Sequence, residues 1–279
     1  MSHKPIADPP PAPTLPPGAF RIVQITDSHL YASADGLLAG INTLDSFHAV
    51  LDLIRTPALS ADMILATGDL VHDASPPGYQ RVKKAFSGFG IPVYCLPGNH
   101  DLPQVMSECL NQGTITSPKW ITHSGWRIAM LDSTIPGEEG GHLSETELRQ
   151  LRSGLEQHPD HHALICLHHH PVPIDSAWMD QMALDNPDPF FSLLEQFPNV
   201  RGILWGHIHQ AYDSQYRGMR LMGSPSTCIQ FAPRIDHFGI DDEPPGLRWL
   251  ELYPDGGIRS GIKRLQQMPL GLDLSSVGY

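Results

Sequence analysis

The sequence predicts an α/β fold, and two observations carry the prediction. Between residues 20 and 101, apolar runs of strand length alternate with longer segments whose apolar residues recur at helical spacing, giving strand, helix, strand, helix, strand. Five polar motifs each follow directly on an apolar run: Asp27-Ser28-His29, Gly68-Asp69, Gly98-Asn99-His100-Asp101, His168 and Gly206-His207-Ile208-His209. Several α/β folds bind ligands in the loops at the carboxyl ends of their strands. Ligands spread from Asp27 to His209 can therefore meet on one rim, which makes 20–265 a single domain between a Pro-rich, disordered tail at 1–19 and a short tail at 266–279.

Taken in order, Phe20–Thr26 is a β-rich run ending at Asp27, and residues 42–55 place Leu44, Phe47, Val50, Leu51 and Ile54 on one helical face behind Asn42 or Thr43 as cap. Met63–Thr67 is a short buried run that stops at Gly68-Asp69. Tyr79–Phe89 is helix-like, and 92–96 leads into Gly98-Asn99-His100-Asp101. Trp126–Leu131 is a strand ending at Asp132, and Ser144 with Glu147 has capping-box spacing for a helix through Leu148, Leu151 and Leu155. Ala163–Leu167 ends at His168; Asp188-Pro189 opens a helix; Val200–Trp205 ends at Gly206-His207. Strands at 220–222, 247–253 and 258–265 follow, the last two joined by the Pro254-Asp255-Gly256-Gly257 turn.

With 18 basic and 30 acidic residues the net charge is −12, which repels nucleic acid, although a small anion can still be drawn by local metal charge. No apolar run reaches the ~18 residues needed to cross a bilayer. Cys95, Cys109, Cys166 and Cys228 form no C-x-x-C pair and read as core thiols; with no signal-peptide pattern at the start of the chain, a cytoplasmic location follows.

The motif residues are metal ligands by type. Asp27 and His29, two apart in an extended segment, present side chains on one face. Asp69 has two oxygens with which to bridge two ions; Asn99 offers an amide oxygen, and His168, His207 and His209 offer imidazoles. A mixed N/O shell suits Mn, Fe, Co or Zn rather than Ca or Mg. Two carboxylates facing two divalent cations leave about +2, which one hydroxide and one phosphodiester bring to about zero. Two ions roughly 3.5–4 Å apart lower the pKa of bound water and clamp phosphate oxygens, so the expected chemistry is phosphate-ester hydrolysis.

The Asp-x-His, Gly-Asp, Gly-Asn-His-Asp and Gly-His-x-His series resembles the calcineurin-like metallophosphoesterase superfamily over about residues 20–265. Residues 167–173, 205–210 and 224–231 are similar to class III bacterial 3′,5′-cyclic-AMP phosphodiesterases. The resemblance implies a four-layer α/β sandwich with two central mixed sheets flanked by helices. It implies one metal held by Asp27, His29, Asp69 and His209, and a second by Asp69, Asn99, His168 and His207, with Fe or Mn expected. It also implies His100 as general acid, Asp101 holding His100 in orientation, and Asn99, His100 and His209 contacting the phosphate. The expected reaction is conversion of 3′,5′-cyclic AMP to 5′-AMP by a metal-bound hydroxide. Another phosphoester substrate, or a non-catalytic scaffold, is the alternative; a scaffold should lack a ligand or the acid histidine, and none is missing.

Plainer readings apply elsewhere. One strand-end Asp or His can simply cap a loop, whereas eight in register require a joint explanation. His169 and His170 are either supports of the ligands or structural. His48, His123, His158, His161 and His162 read as solvated or locally bonded. His72 and Asp73 are candidates for the pocket wall, and Asp132 either bonds a ligand or caps its loop. Residues 174–187, with Trp178 and Met179, are long enough for a lid, or Trp178 anchors that loop to the core. Residues 224–231 are expected to help shape a base pocket.

Overall fold

Alternation along the strands sets the layers. The computed structural model describes residues 10–12, 14–56 and 59–278. In chain order the elements are β1 (Phe20–Ile25), β2 (Leu37–Leu38), β3 (Ile41–Asn42), α1 (Thr43–Ile54), β4 (Met63–Thr67), α2 (Pro76–Phe86), β5 (Val93–Leu96), α3 (Pro103–Leu110), β6 (Ile115–Thr116), β7 (Trp120–His123), β8 (Trp126–Met130) and α4 (Glu145–Glu156). They continue with β9 (His162–Cys166), α5 (Ala177–Asp180), α6 (Pro187–Leu194), β10 (Val200–Trp205), β11 (Tyr212–Tyr216), β12 (Met219–Gly223), β13 (Gln230–Phe231), β14 (Ile240–Asp241), β15 (Gly246–Leu252) and β16 (Ile258–Arg264).

Two six-stranded mixed sheets result, ordered β16-β15-β1-β4-β5-β6 and β11-β12-β10-β9-β8-β7. Strands β1, β4, β5 and β6 run parallel in the first, and β8, β9, β10 and β12 in the second; antiparallel pairings add β15 and β16 beside β1, and β7 and β11 at the two edges of the second sheet. Side-chain period two sends Ile22, Met63 and Leu65 inward to meet Trp126, Ile128, Leu164 and Leu204 of the facing sheet. Their neighbours Val23, Ile25, Ile64 and Ala66 point outward and pack against Phe47, Val50, Leu51, Val82 and Phe86 of α1 and α2. The second sheet buries Ile165, Ile203 and Trp205 against Leu151, Leu155, Phe190 and Leu194 of α4 and α6. The expected four-layer sandwich is therefore the observed one.

The helix starts follow their caps: Asn42 accepts from Asp45 N–H, Ser75 from Gly78 N–H and Ser144 from Glu147 N–H. Helix α2 begins three residues ahead of the expected Tyr79 because Pro76 occupies the first turn, where its missing N–H costs nothing. Helix α3, β7 and β11 were not expected; β11 is a polar edge strand, and His123 closes β7 rather than a turn. Of the Pro-rich stretch expected as a disordered tail, residues 1–9 and 13 lie outside the described residues; Ala12 N–H donates to Glu251 Oε1 at 2.7 Å. In the C-terminal stretch Asp273 N–H donates to Ala39 O at 2.9 Å, and Met268 and Leu272 pack on the second sheet's core. Among the described residues no helix is long and apolar enough to cross a membrane.

Candidate metal centre

Strands β1, β4 and β5 of one sheet and β9 and β10 of the other deliver all five motifs to one rim. The chain beyond β1 runs beside the chain beyond β4: Asp27 N–H donates to Gly68 O at 3.0 Å and His29 N–H to Asp69 O at 2.9 Å. Across the sandwich, His207 N–H donates to both Asp27 carboxylate oxygens, at 3.0 and 3.1 Å. One aspartate thus ties the two sheets together at the rim.

The extended Asp27-Ser28-His29 segment expected from spacing is not what forms. Asp27 and His29 have left-handed backbones, with φ of +54° and +45°, as do Asp69 at +50°, His207 at +66° and His209 at +48°. That conformation costs a non-glycine residue roughly 1–2 kcal/mol, and such residues cluster at functional sites. A run of tight turns, rather than a pleat, converges these side chains. Gly68, at φ +93°, also leaves the space the His168 ring occupies, and a side chain at Gly98 would run into Asp69.

Ligand atoms of Asp27, His29 and His209 lie within 4.8 Å of one another, as do those of Asp69, His168 and His207. His29 Nε2 is 3.3 Å from His209 Nε2 and 3.7 Å from Asp69 Oδ2, and His168 Nε2 is 3.3 Å from the same oxygen. Asp69 Oδ2 therefore lies within reach of both groups. Backbone carbonyls set which nitrogen of each imidazole is available. His168 Nδ1–H donates to Thr67 O at 2.9 Å and His209 Nδ1–H to Ile229 O at 2.9 Å, which turns both Nε2 lone pairs inward. His207 is reversed: its Nε2–H donates to Met182 O at 3.2 Å, leaving Nδ1 as the ligand atom.

Among the buried side-chain atoms of the described residues that make no hydrogen bond, four belong to the expected ligands: Asp69 Oδ2, Asn99 Oδ1, His168 Nε2 and His207 Nδ1. An unsatisfied buried polar atom costs about 1–3 kcal/mol. The ligand atoms of Asp69, His168 and His207 lie close enough together for a single cation to satisfy them. The donor set, two carboxylates with amide and imidazole, fits a pair of transition-metal ions. Burial holds the His29 and His207 imidazoles well below their usual range, so both are neutral donors. Burial also acts to lower His168, but the Asp69 carboxylate 3.3 Å from Nε2 and then Asp27 raise it to about 9, so a cation at Nε2 would take the place of a proton there.

His100 lies against this centre. Its backbone N–H donates to Asp69 Oδ1 at 2.9 Å, its Nδ1–H donates to His72 O at 3.3 Å, and its ring stands edge-on to His29 with centroids 4.9 Å apart. Asp101 is spent differently from the expected role of orienting His100. Its carboxylate accepts from Leu70 N–H, Val71 N–H, Gly98 N–H and Tyr79 O–H, at 2.9 to 3.2 Å. It is therefore a clamp between the Asp69 loop and the Asn99 loop. Burial, and then Asp69, push it up to about 6 against those four donors.

The neighbouring histidines divide. His169 accepts from Ser133 Oγ at 2.7 Å and donates to Glu139 O at 3.2 Å, so both ring nitrogens are committed to the surrounding loops. His170 approaches Asp180 at 3.4 Å behind His207. Asp132 accepts from Thr134 and Asp73 from Ala32 and Ser75, which makes both loop caps. Trp178 packs edge-on against Phe231 and Phe238, with centroids 5.1 and 5.2 Å away, and so anchors 174–187, from which Met182 reaches His207. Segment 224–231 does more than was expected. Ser226 Oγ–H donates to Asp27 O at 2.7 Å, Ile229 O holds His209, and Phe231 stacks on the His209 ring at 4.1 Å. Gln230 and Phe231 also line a cavity of about 360 Å³ that opens beside His209. The carbonyls of Thr67, Met182 and Ile229 had no sequence signal, since any residue carries one.

Comparison with known proteins gives the following. A model of the calcineurin-like phosphoesterase family matches residues 20–211. The 3′,5′-cyclic adenosine monophosphate phosphodiesterase CpdA of Vibrio vulnificus is 39% identical over 267 residues, covering 95% of this chain and 97% of that one. The Escherichia coli K12 protein of the same name is 41% identical over 260 residues, 93% and 94% of the two chains. A 3′,5′-cyclic-nucleotide phosphodiesterase of Nostoc is 38% identical over 246 residues, 88% and 92%. Among solved structures, a dimetal phosphatase from Danio rerio superposes with a TM-score of 0.62 at 14% identity, covering 92% of this chain and 99% of that one. GAP50, the anchor in the inner membrane complex of Plasmodium, superposes at 0.61 and 14%, covering 92% and 90%. At such identities a shared fold is all that follows, and the site decides the rest.

Proposed function

The chain belongs to the calcineurin-like phosphoesterase family, and we propose that it is a dinuclear-metal phosphodiesterase that hydrolyses 3′,5′-cyclic AMP to 5′-AMP. The four unpartnered buried atoms of Asp69, Asn99, His168 and His207 carry the metal-dependent part of this reading. Curated relatives named as cyclic-AMP phosphodiesterases, 38–41% identical over more than nine-tenths of the chain, support the substrate.

One ion would be held by Asp27, His29, Asp69 and His209, and the other by Asp69, Asn99, His168 and His207, with Fe or Mn as the proposed metals and Zn or Co compatible with the same donors. When bound, such a pair acidifies water and neutralises the phosphate's charge. The remaining work falls to the chain. Asn99 and His209 would contact the phosphate, with His100 beside the centre against His29 and Asp69. With its Nδ1–H engaged by His72 O, His100 has Nε2 as the atom that carries a proton to the departing 3′ oxygen. Water adds its oxygen to phosphorus, the P–O3′ bond breaks, and that proton completes the 3′ hydroxyl of 5′-AMP. Asp101 keeps the two phosphate-facing loops in fixed relation. A net charge of −12 favours a small anionic substrate over nucleic acid, and four free cysteines support a cytoplasmic setting.

The test is a turnover panel with Mn or Fe supplied: cyclic AMP, cyclic GMP, 2′,3′-cyclic AMP and an aryl phosphodiester. Cyclic AMP is expected to give the highest kcat/KM. Intact cyclic AMP alongside hydrolysis of the other diesters would remove the substrate and leave the class.

A further inference from the structure

His72 is outside the ligand set, yet it touches both halves of the site. Its ring Nδ1 lies 3.2 Å from His29 Nδ1. Its ring stacks on that of His100, with centroids 4.5 Å apart and planes inclined by 23°. Its backbone carbonyl receives His100 Nδ1–H, and Tyr31 covers it with centroids 4.8 Å apart. The side chain is half-buried between these rings.

The direction of the His29 contact follows from His29's other nitrogen. Nε2 faces His209 and Asp69, the side on which a metal sits. A metal-bound imidazole carries its proton on the distal nitrogen, so His29 Nδ1 is the donor and His72 Nδ1 the acceptor. The ligands His168, His207 and His209 all use main-chain carbonyls for this purpose, as described above. His29 alone of the four ligand histidines has a side chain in that role, and that side chain also supports the acid.

We propose that His72 is a positioning residue that couples the two: its Nδ1 fixes the tautomer and angle of His29 for one metal, and its ring face fixes the plane of His100 for proton delivery. This rests on the phosphodiesterase reading only for its second half, because the first is a statement about metal affinity. The two contacts are separable by substitution. His72→Gln retains an acceptor and removes the ring face; His72→Phe retains a ring and removes the acceptor.

The experiment measures Mn²⁺ binding by titration calorimetry, and kcat and KM for both cyclic AMP and an aryl phosphodiester at saturating Mn²⁺, on the full chain and both variants. Thermal unfolding is recorded alongside to confirm that each variant folds. His72→Phe should weaken one of the two Mn²⁺ equivalents about tenfold or more, with the other unchanged and a smaller loss of kcat at saturation than His72→Gln shows. His72→Gln should keep both affinities and lower kcat about tenfold with little change in KM, as a displaced catalytic group does. Equal losses in the two variants, or wild-type affinity and kcat in both, would overturn the proposal. If cyclic AMP is not a substrate at all, the aryl diester still reports on His100, and the calorimetry reports on His29 with no substrate present.

Discussion

Two buried polar clusters sit within the same sandwich and are built to opposite rules. Around Arg248, on β15, every group is matched: Nε donates to Ser224 Oγ, Nη1 to Ser260 Oγ, and Nη2 to Tyr212 O and Gly223 O, at 2.7 to 3.1 Å. Asp213 lies 3.5 Å away and takes Arg220 bidentately at 3.0 and 2.7 Å. Around Asp69, four atoms are left without partners. A satisfied network fixes a unique packing, whereas an unsatisfied one stores a cost that only a ligand relieves. The clusters are linked: Ser224 Oγ–H donates to Gln24 Oε1, Gln24 Nε2–H donates to Thr67 Oγ1, and Thr67 O holds His168. The matched cluster is thus part of the frame on which the unmatched one is held open.

The contrast can be broken from either side. Asn99→Ala removes a ligand and also an orphaned oxygen. It should lower kcat/KM for cyclic AMP by about a thousandfold, roughly 4 kcal/mol, while leaving the metal-free protein's unfolding midpoint unchanged or higher. Arg248→Met should do the reverse, destabilising by about 3 kcal/mol because Asp213 loses a cation and two carbonyls lose donors. Denaturant titration checks it, and the folded fraction should turn over at close to the normal rate. The third effect is smaller and sharpens the comparison. Removing metal with a chelator should lower stability by about 2.7 kcal/mol for each site that had been held at a hundred times its Kd. The same shift should persist in Arg248→Met and shrink in Asn99→Ala.

Much of this was readable from the chain. The βαβαβ order, the strand ends and the polar motifs are local properties, since side-chain periodicity and caps act within a few residues. Met63–Thr67 is a strand as expected, and Asp27, His29, Asp69, His168, His207 and His209 come together as their strand-end positions implied. What was misread depends on distance. Asp101 was assigned to its neighbour His100, but its oxygens are taken by Leu70, Val71 and Tyr79, which fold over from the preceding loop and α2. Arg248 carries no motif of its own; its partners Asp213, Ser224 and Ser260 come from three other places in the chain.

Which atoms can bind metal follows from residue type and so is legible along the chain. Which lone pairs face the centre depends on how distant segments pack. His168 and His209 offer Nε2 but His207 offers Nδ1, and the difference lies in where Thr67, Ile229 and Met182 place their carbonyls. A hydrogen bond's direction is set by the position of an acceptor on another segment, and no spacing along one chain encodes it.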